Sequence, residues 1–178
     1  MIIINLENYI TKSGKYAIFT GTFNPPHTGH VQAIKYAFRK IPSLSSVVVI
    51  PHTWNIHKSP PLETRIRVNW LNETFKEFIP DLFSKTVICF DEVINNHPEK
   101  YDELCNRHNL KLYRIVGSDK QSVLIRSKDH AEILLTPRDG LVNSTIIRKS
   151  VKEGNIEGIK NMVAKSVLKD ILDNQFYI

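Results

Sequence analysis

The chain has 178 residues, 42% hydrophobic and 24% charged, with a formal net charge of +6. This is the balance of an ordinary globular protein with enough chain to bury a core, and no apolar run approaches the roughly 20 residues a membrane helix needs. The positive charge suits a polyanionic ligand, but it is spread along the chain rather than gathered in blocks, which favours nucleotides over nucleic acid. The opening Met1-Ile2-Ile3-Ile4 is short, runs into Glu7 and has no basic leader, so no signal peptide is expected and the expected compartment is the cytoplasm. Tyr16–Thr20 reads as a buried strand ending in Gly21, and His30–Arg39 as a helix with Val31, Ile34, Ala37 and Phe38 on one face. Val47–Ile50 is a second strand, stopped by Pro51. Glu63–Phe78 has helical spacing through Ile66, Trp70, Leu71, Thr74 and Phe78. Val87–Phe90 is a third strand, Lys100–His108 a short helix, Leu112–Val116 a fourth strand closed by Gly117, and Ile133–Leu135 a fifth. Thr145–Glu153 and Asn161–Asp173 read as terminal helices. Cys89 and Cys105 have no partner at metal-ligand spacing and cannot alone define a disulfide scaffold, so both are expected to be reduced and structural.

Apolar strands alternating with helices predict an α/β fold: one Rossmann-like, doubly wound domain over residues 1–178 with a mostly parallel sheet of five or six strands. Such sheets bind ligands beyond the carboxyl ends of their strands, at the switch point in strand order. The segments after each strand are therefore the informative ones.

After the first strand comes Gly21-Thr22-Phe23-Asn24-Pro25-Pro26-His27-Thr28-Gly29-His30. Gly21 permits a sharp turn, the two prolines hold an extended loop, and Gly29 leaves room for a close approach. His27 and His30, three apart on an opening helical turn, lie on one face beside a helix N-terminus, where free N–H groups and the dipole favour an anion. Two such donors could neutralise charge growing on a phosphate during substitution. His30 is expected to be exposed in the cleft. Two structural histidines or a metal pair are the alternatives, and no third ligand lies nearby.

At these residues the chain resembles the nucleotidyltransferases that carry a His-x-Gly-His signature. The fuller pattern Gly-x-Phe-x-Pro-x-His-x-Gly-His, met at Gly21, Phe23, Pro25, His27, Gly29 and His30, is similar to that of the nicotinate/nicotinamide mononucleotide adenylyltransferases. The resemblance extends to later segments. Pro51-His52-Thr53-Trp54-Asn55-Ile56-His57-Lys58 resembles the family's proline, short loop and His-Lys pair, with Lys58 directed to the ATP phosphates. Arg65 or Arg67 follows where the family often has an arginine, and the pattern does not choose between them. Gly117-Ser118-Asp119 resembles a Gly-x-Asp in which Asp119 would accept from ribose hydroxyls. Asn143-Ser144-Thr145-Ile146-Ile147-Arg148 resembles Ser-Ser-Thr-x-x-Arg, with Ser144 and Thr145 capping a helix that holds phosphate and Arg148 adding charged donors.

The resemblance implies adenylyl transfer from ATP, with Mg²⁺, to nicotinate or nicotinamide mononucleotide. It implies His27, His30, Lys58 and Arg148 as catalytic residues. The ATP-binding set would be Gly21, Thr22, Phe23, His27, His30, Gly117, Asp119, Asn143, Ser144, Thr145 and Arg148, and the acceptor-binding set Asn24, Trp54, Lys58 and Arg65. No metal held by protein ligands, no nucleic acid and no membrane partner is implied, while self-association is left open. The departures fall where the pyridine ring would be read: Glu103 replaces a hydroxyl residue, and Lys120–Lys128 lacks an aromatic residue, leaving Trp54 for stacking. Two other readings remain: another phosphate acceptor such as phosphopantetheine, and a non-catalytic nucleotide sensor.

Overall fold

The computed structural model describes residues 1–3, 5–10, 14–52, 62–91, 100, 103, 104, 107, 112–118, 131–137 and 142–178. In chain order the elements are β1 (Ile2–Ile3), α1 (Leu6–Ile10), β2 (Lys15–Gly21), α2 (Thr28–Lys40), β3 (Leu44–Pro51) and α3 (Thr64–Phe78). A 3-10 helix at Pro80–Lys85 follows, then β4 (Thr86–Cys89), β5 (Leu112–Gly117), β6 (Ala131–Thr136), α4 (Ser144–Lys152) and α5 (Lys165–Asp173). The strands form one six-stranded sheet in the order β1-β4-β3-β2-β5-β6, and every pair is parallel. From β2 the chain winds outward through β3 to β4, then crosses to β5 and β6 on the other side. The switch point therefore lies between the carboxyl ends of β2 and β5, at Gly21 and Gly117.

Alternation along the central strands builds two layers, because successive side chains of a strand face opposite ways. Ala17, Phe19, Val47 and Val49 pack with Val31, Ile34 and Ala37 of α2 and Val68, Leu71 and Phe75 of α3. Ile18, Val48 and Ile50 pack with Leu6 and Ile10 of α1. A third cluster joins Trp70 to Ile147, Val151, Ile159, Val163, Val167 and Ile171, seating the C-terminal helices on α3. The Trp70 indole Nε1 donates to Asp170 at 2.6 Å and fixes that seating.

The doubly wound parallel sheet is as the sequence implies, with local differences. No element was expected before Tyr16, but Ile2–Ile3 adds an edge strand beside Ile88–Cys89 and Leu6–Ile10 a short helix under the sheet. Two residues of strand and five of helix are too short to show a period. The terminal helix starts at Lys165 rather than Asn161 because Ala164 is extended (φ −59°, ψ 142°), with Val163 and Ala164 turned into the third cluster. Helix α2 starts at Thr28, before His30, for a reason that belongs to the site. Of the expected helix Lys100–His108, Lys100, Glu103, Leu104 and Arg107 are described and helical, and the rest lies outside the described residues.

Candidate active site

The β2–α2 loop leaves the sheet at the switch point. His27 caps α2 with extended backbone (φ −153°, ψ 171°). Its Nδ1 accepts from the Gly29 N–H at 3.1 Å, and the His30 Nδ1 accepts from the His27 N–H at 3.1 Å. This is a capping box, built from two imidazoles instead of Ser/Thr and Glu/Gln. It starts the helix at Thr28, because side chains satisfy the His27 and Gly29 N–H groups while the Thr28 N–H donates to the Met162 carbonyl. It also decides a tautomer: a neutral imidazole that accepts through Nδ1 carries its proton on Nε2. Both histidines are therefore Nε2–H donors. Their rings are in contact, tilted by 31° with centroids 3.7 Å apart.

His27 and His30 are 5% and 8% exposed, so the expectation that His30 stands open in the cleft is corrected. Its ring packs edge-on against Phe23, at 4.8 Å between centroids, and near Phe19 at 5.9 Å. Stacked, capped and walled by aromatics, the pair is held in one orientation before any ligand arrives. The glycines serve this packing. A Cβ on Gly29 would come within 3.0 Å of the His27 ring, so this glycine makes room for that imidazole. A Cβ on Gly21 would come within 3.1 Å of the Phe23 ring.

Phe23 sits at φ 48°, in the left-handed region that bulky side chains avoid. Such a conformation costs roughly 1–3 kcal/mol and persists only where the surroundings over-determine it. Here they do. The Arg67 Nη1 donates to the Thr22 carbonyl at 2.6 Å, and the Arg148 Nη1 to the Asn24 carbonyl at 2.6 Å. The Ser144 hydroxyl donates to the Pro25 carbonyl at 2.9 Å, and the Tyr177 hydroxyl to Asn24 Oδ1 at 2.6 Å. Arg67 is 1% exposed and also donates to the Leu62 carbonyl and the Thr64 hydroxyl. Burial pushes its guanidinium down to about 10, and nearby Tyr177 acts the other way.

Between Arg65 and Arg67 the structure is plain: Arg67 is buried against the loop, whereas Arg65 is exposed on α3. The helix cap also differs from expectation. Asn143, not Ser144 or Thr145, is the N-cap of α4, and its Oδ1 accepts from the Ile146 N–H at 2.9 Å. That frees the Ser144 hydroxyl to cross to Pro25. Arg148 reaches Asn24 with one N–H and the Thr145 hydroxyl with another, at 3.3 Å. A guanidinium has five donors, so Arg148 retains the means to meet a phosphate.

His27, Gly29 and His30 line an open cleft of about 400 Å³, solvent included, with Phe19, Gly117, Thr136, Pro137 and Val142 on its other walls. The structure thus brings Gly117, Gly29 and the two histidines together, with Thr22, Phe23, Asn24, Ser144 and Arg148 joined directly behind them. Lys58, Trp54 and Asp119 lie outside the described residues. Tyr177 was missed as part of the site, whereas Arg67 was one of the two arginines the sequence left open. Nothing in the sequence points Tyr177 at residue 24. Among the described residues no helix is long and apolar enough to cross a membrane.

A parallel sheet carries a dihistidine helix cap at its switch point, and the chain belongs to the cytidylyltransferase-like family, which matches residues 18–150. Two relatives illustrate where it falls within that family. It is 33% identical over 116 residues to a probable nicotinate-nucleotide adenylyltransferase of Nitratiruptor sp., an alignment covering 62% of each chain. It is 30% identical to the protein of that name from Fusobacterium nucleatum, over 92% of this chain and 81% of the relative. Among solved structures, the nicotinic acid mononucleotide adenylyltransferase of Plasmodium falciparum complexed with NaAD shares the fold. Its TM-score is 0.71 at 16% identity, covering 92% of this chain and 97% of that one.

Proposed function

We propose that this protein transfers the adenylyl group of ATP to nicotinate or nicotinamide mononucleotide, forming the dinucleotide for NAD biosynthesis and releasing pyrophosphate, with residues 1–178 acting as a single nucleotidyltransferase domain. The observation that carries the reading is the reciprocal cap at His27 and His30, which presents two Nε2–H donors at a helix N-terminus beside an open cleft. The names of the relatives supply the acceptor.

In the reaction an oxygen of the acceptor's 5′-phosphate attacks the α-phosphorus of ATP. The bond from that phosphorus to the bridging oxygen breaks, and pyrophosphate leaves with the electron pair. No covalent protein nucleophile is required, since the work is positioning and charge neutralisation. His27 and His30 would donate to the α-phosphate oxygens, where negative charge shifts during attack. Their fixed orientation means that little reorganisation is needed at that moment. Arg148 and Lys58 would hold the departing pyrophosphate, and Gly117 and Asp119 would lie along the adenosine. Asn143, Ser144 and Thr145 would border the phosphates at the start of α4, while Asn24, Trp54, Lys58 and Arg65 would face the acceptor.

Mg²⁺ would arrive with ATP. Among the described residues no group of three or more histidine, cysteine, aspartate or glutamate side chains could cage a metal; an ion held mainly by the nucleotide's own phosphates needs no such cage. Its role would be to screen the charge of the pyrophosphate.

The test is pyrophosphate release from ATP and Mg²⁺ with nicotinate mononucleotide, nicotinamide mononucleotide or phosphopantetheine as acceptor. Turnover with a pyridine mononucleotide is expected. Reaction with phosphopantetheine alone would move the chain to another acceptor, and nucleotide binding without turnover would make it a sensor.

A further inference from the structure

The Tyr177 hydroxyl, one residue from the end of the chain, lies 2.6 Å from Asn24 Oδ1, three residues before the capping histidine. The approach is built. Gln175 and Tyr177 adopt φ values of 54° and 72°, left-handed conformations that non-glycine residues avoid, and these turn the tail back after α5. The tail is held there by its rings, with Phe176 and Tyr177 edge-on to Trp70 at 5.6 and 6.4 Å. Asn24 is 7% exposed, and its side-chain oxygen faces the tail rather than solvent. On its other side Asn24 adjoins Phe23, whose strained backbone places a ring 4.8 Å from His30. Bulky residues in such a conformation need support from both sides. Arg67 supports the Thr22 side through the main chain, and Arg148 and Tyr177 support the Asn24 side, one through the main chain and one through the side chain.

We infer that Tyr177 is a positioning residue for the adenylyl-transfer site. Its hydroxyl locks the Asn24 amide and through it the Phe23 turn, so that the segment after α5 sets the placement of the His30 and His27 rings. The inference rests on the function proposed above for its kinetic consequence, but not for the placement itself. A site of this kind depends on sub-ångström geometry, and a misplacement of 1 Å can cost on the order of 100-fold in rate. Losing one of several supports should cost less.

The test compares wild type with Tyr177→Phe, which keeps the ring against Trp70 and removes only the hydroxyl. We expect kcat to fall about tenfold, with little change in the KM for ATP or in Tm. In an Asn24→Ala background the same substitution should have no further effect, because the lock is already gone. Asn24→Asp, which still offers an oxygen to Tyr177, should retain most of the activity lost in Asn24→Ala. Independently of any substrate, the imidazole ¹⁵N resonances of His27 and His30 should shift in Tyr177→Phe. Unmoved histidine resonances would overturn the placement. An active wild type matched by an equally active Tyr177→Phe would overturn the kinetic role. An inactive wild type whose histidine resonances do shift on substitution would overturn the proposed function and leave the positioning intact.

Discussion

Two helices of this protein begin in nearly the same way and serve different ends. The cap of α4, Asn143, is extended (φ −149°, ψ 157°) and accepts one backbone N–H through its side chain. The cap of α2, His27, has almost the same backbone and also accepts one backbone N–H, but a second histidine returns the bond and both rings are buried. Asparagine is among the best residues for this task, and histidine is not. A helix that only had to start would use the former. On the function proposed above, what the two buried imidazoles add to a plain cap is an N–H donor: each ring accepts through Nδ1 and so carries its proton on Nε2. At α4 the cap is a single amide, and its neighbours Ser144 and Arg148 both turn back toward the β2–α2 loop.

Converting one cap into the other breaks this comparison. In His27→Asn the amide oxygen can stand where Nδ1 stands, so the Gly29 N–H stays satisfied and α2 still starts at Thr28. The Nε2 donor is lost. We expect a roughly 100- to 1000-fold fall in kcat, the usual cost of one transition-state donor, with nucleotide binding retained. Some packing against His30 is lost as well, so Tm should drop by a few degrees, where about 1 kcal/mol corresponds to roughly 2–4 °C at this size. Steady-state kinetics and thermal melts on one sample separate the two effects. Full activity would reduce His27 to a cap, and loss of folding would make the pair structural.

The elements legible in the sequence were those long enough to show a period. The strand ending at Gly21, the stripe from Ile66 to Phe78 and the run at Val47–Ile50 all stand where their spacing places them. The short β1 and α1 were not legible, because their assignment comes from pairing with β4 and from burial of Leu6 and Ile10 rather than from local pattern. At the site, the residue types were legible and their contacts were not. Gly-x-Phe-x-Pro-x-His-x-Gly-His announces a phosphate site, but nothing in it says that Gly29 makes room for His27 or that Phe23 is strained. Arg67, Arg148 and Tyr177 meet the loop across 45, 124 and 153 residues of chain. Contacts at that separation are decided by how helices pack on the sheet, which a local pattern does not encode.

The Tyr177 contact joins the two regions compared above, and pH can weaken it without mutation. Burial is the largest influence on its phenol and raises it above the ordinary value of about 10, while Arg148 and Arg67 act in the opposite direction. In the folded protein the phenol keeps its proton, and its donation to Asn24, beyond the pH at which the unfolded chain releases that proton. Its contribution to stability is therefore complete below pH 10 and is lost as pH rises above it. The Arg67 guanidinium, pushed down to about 10, has the opposite sign above that pH, because the unfolded chain then holds the extra proton. Arg67 is common to wild type and Tyr177→Phe, so the difference between the two melting curves isolates Tyr177. We expect that difference to be constant from pH 7 to 9 and to shift against wild type above pH 10. A difference that stays flat through pH 11 would remove Tyr177 from the alkaline response.

The smallest effect should come from the cap of α4, whose side-chain oxygen is engaged by the helix's own backbone. In Asn143→Ala the Ile146 N–H loses its partner, and loss of a good N-cap costs about 1 kcal/mol. At this chain length that is a fall in Tm of roughly 2–4 °C. The remaining contacts of α4 limit the damage: Ile147 and Val151 stay buried against Trp70, and Ser144 and Arg148 still hold Pro25 and Asn24. Activity should therefore fall by no more than about threefold, through slight loosening of the first turn that carries Ser144. Asn143→Ser supplies an oxygen to the same N–H and should restore both Tm and kcat, since serine is an equally good cap. No cap-retaining substitution at His27 should do the same, because there the cap and the donor are one ring. If Asn143→Ser were as slow as His27→Asn, the Asn143 amide itself would touch the reacting phosphates, and the two helix starts would be equal partners in the chemistry.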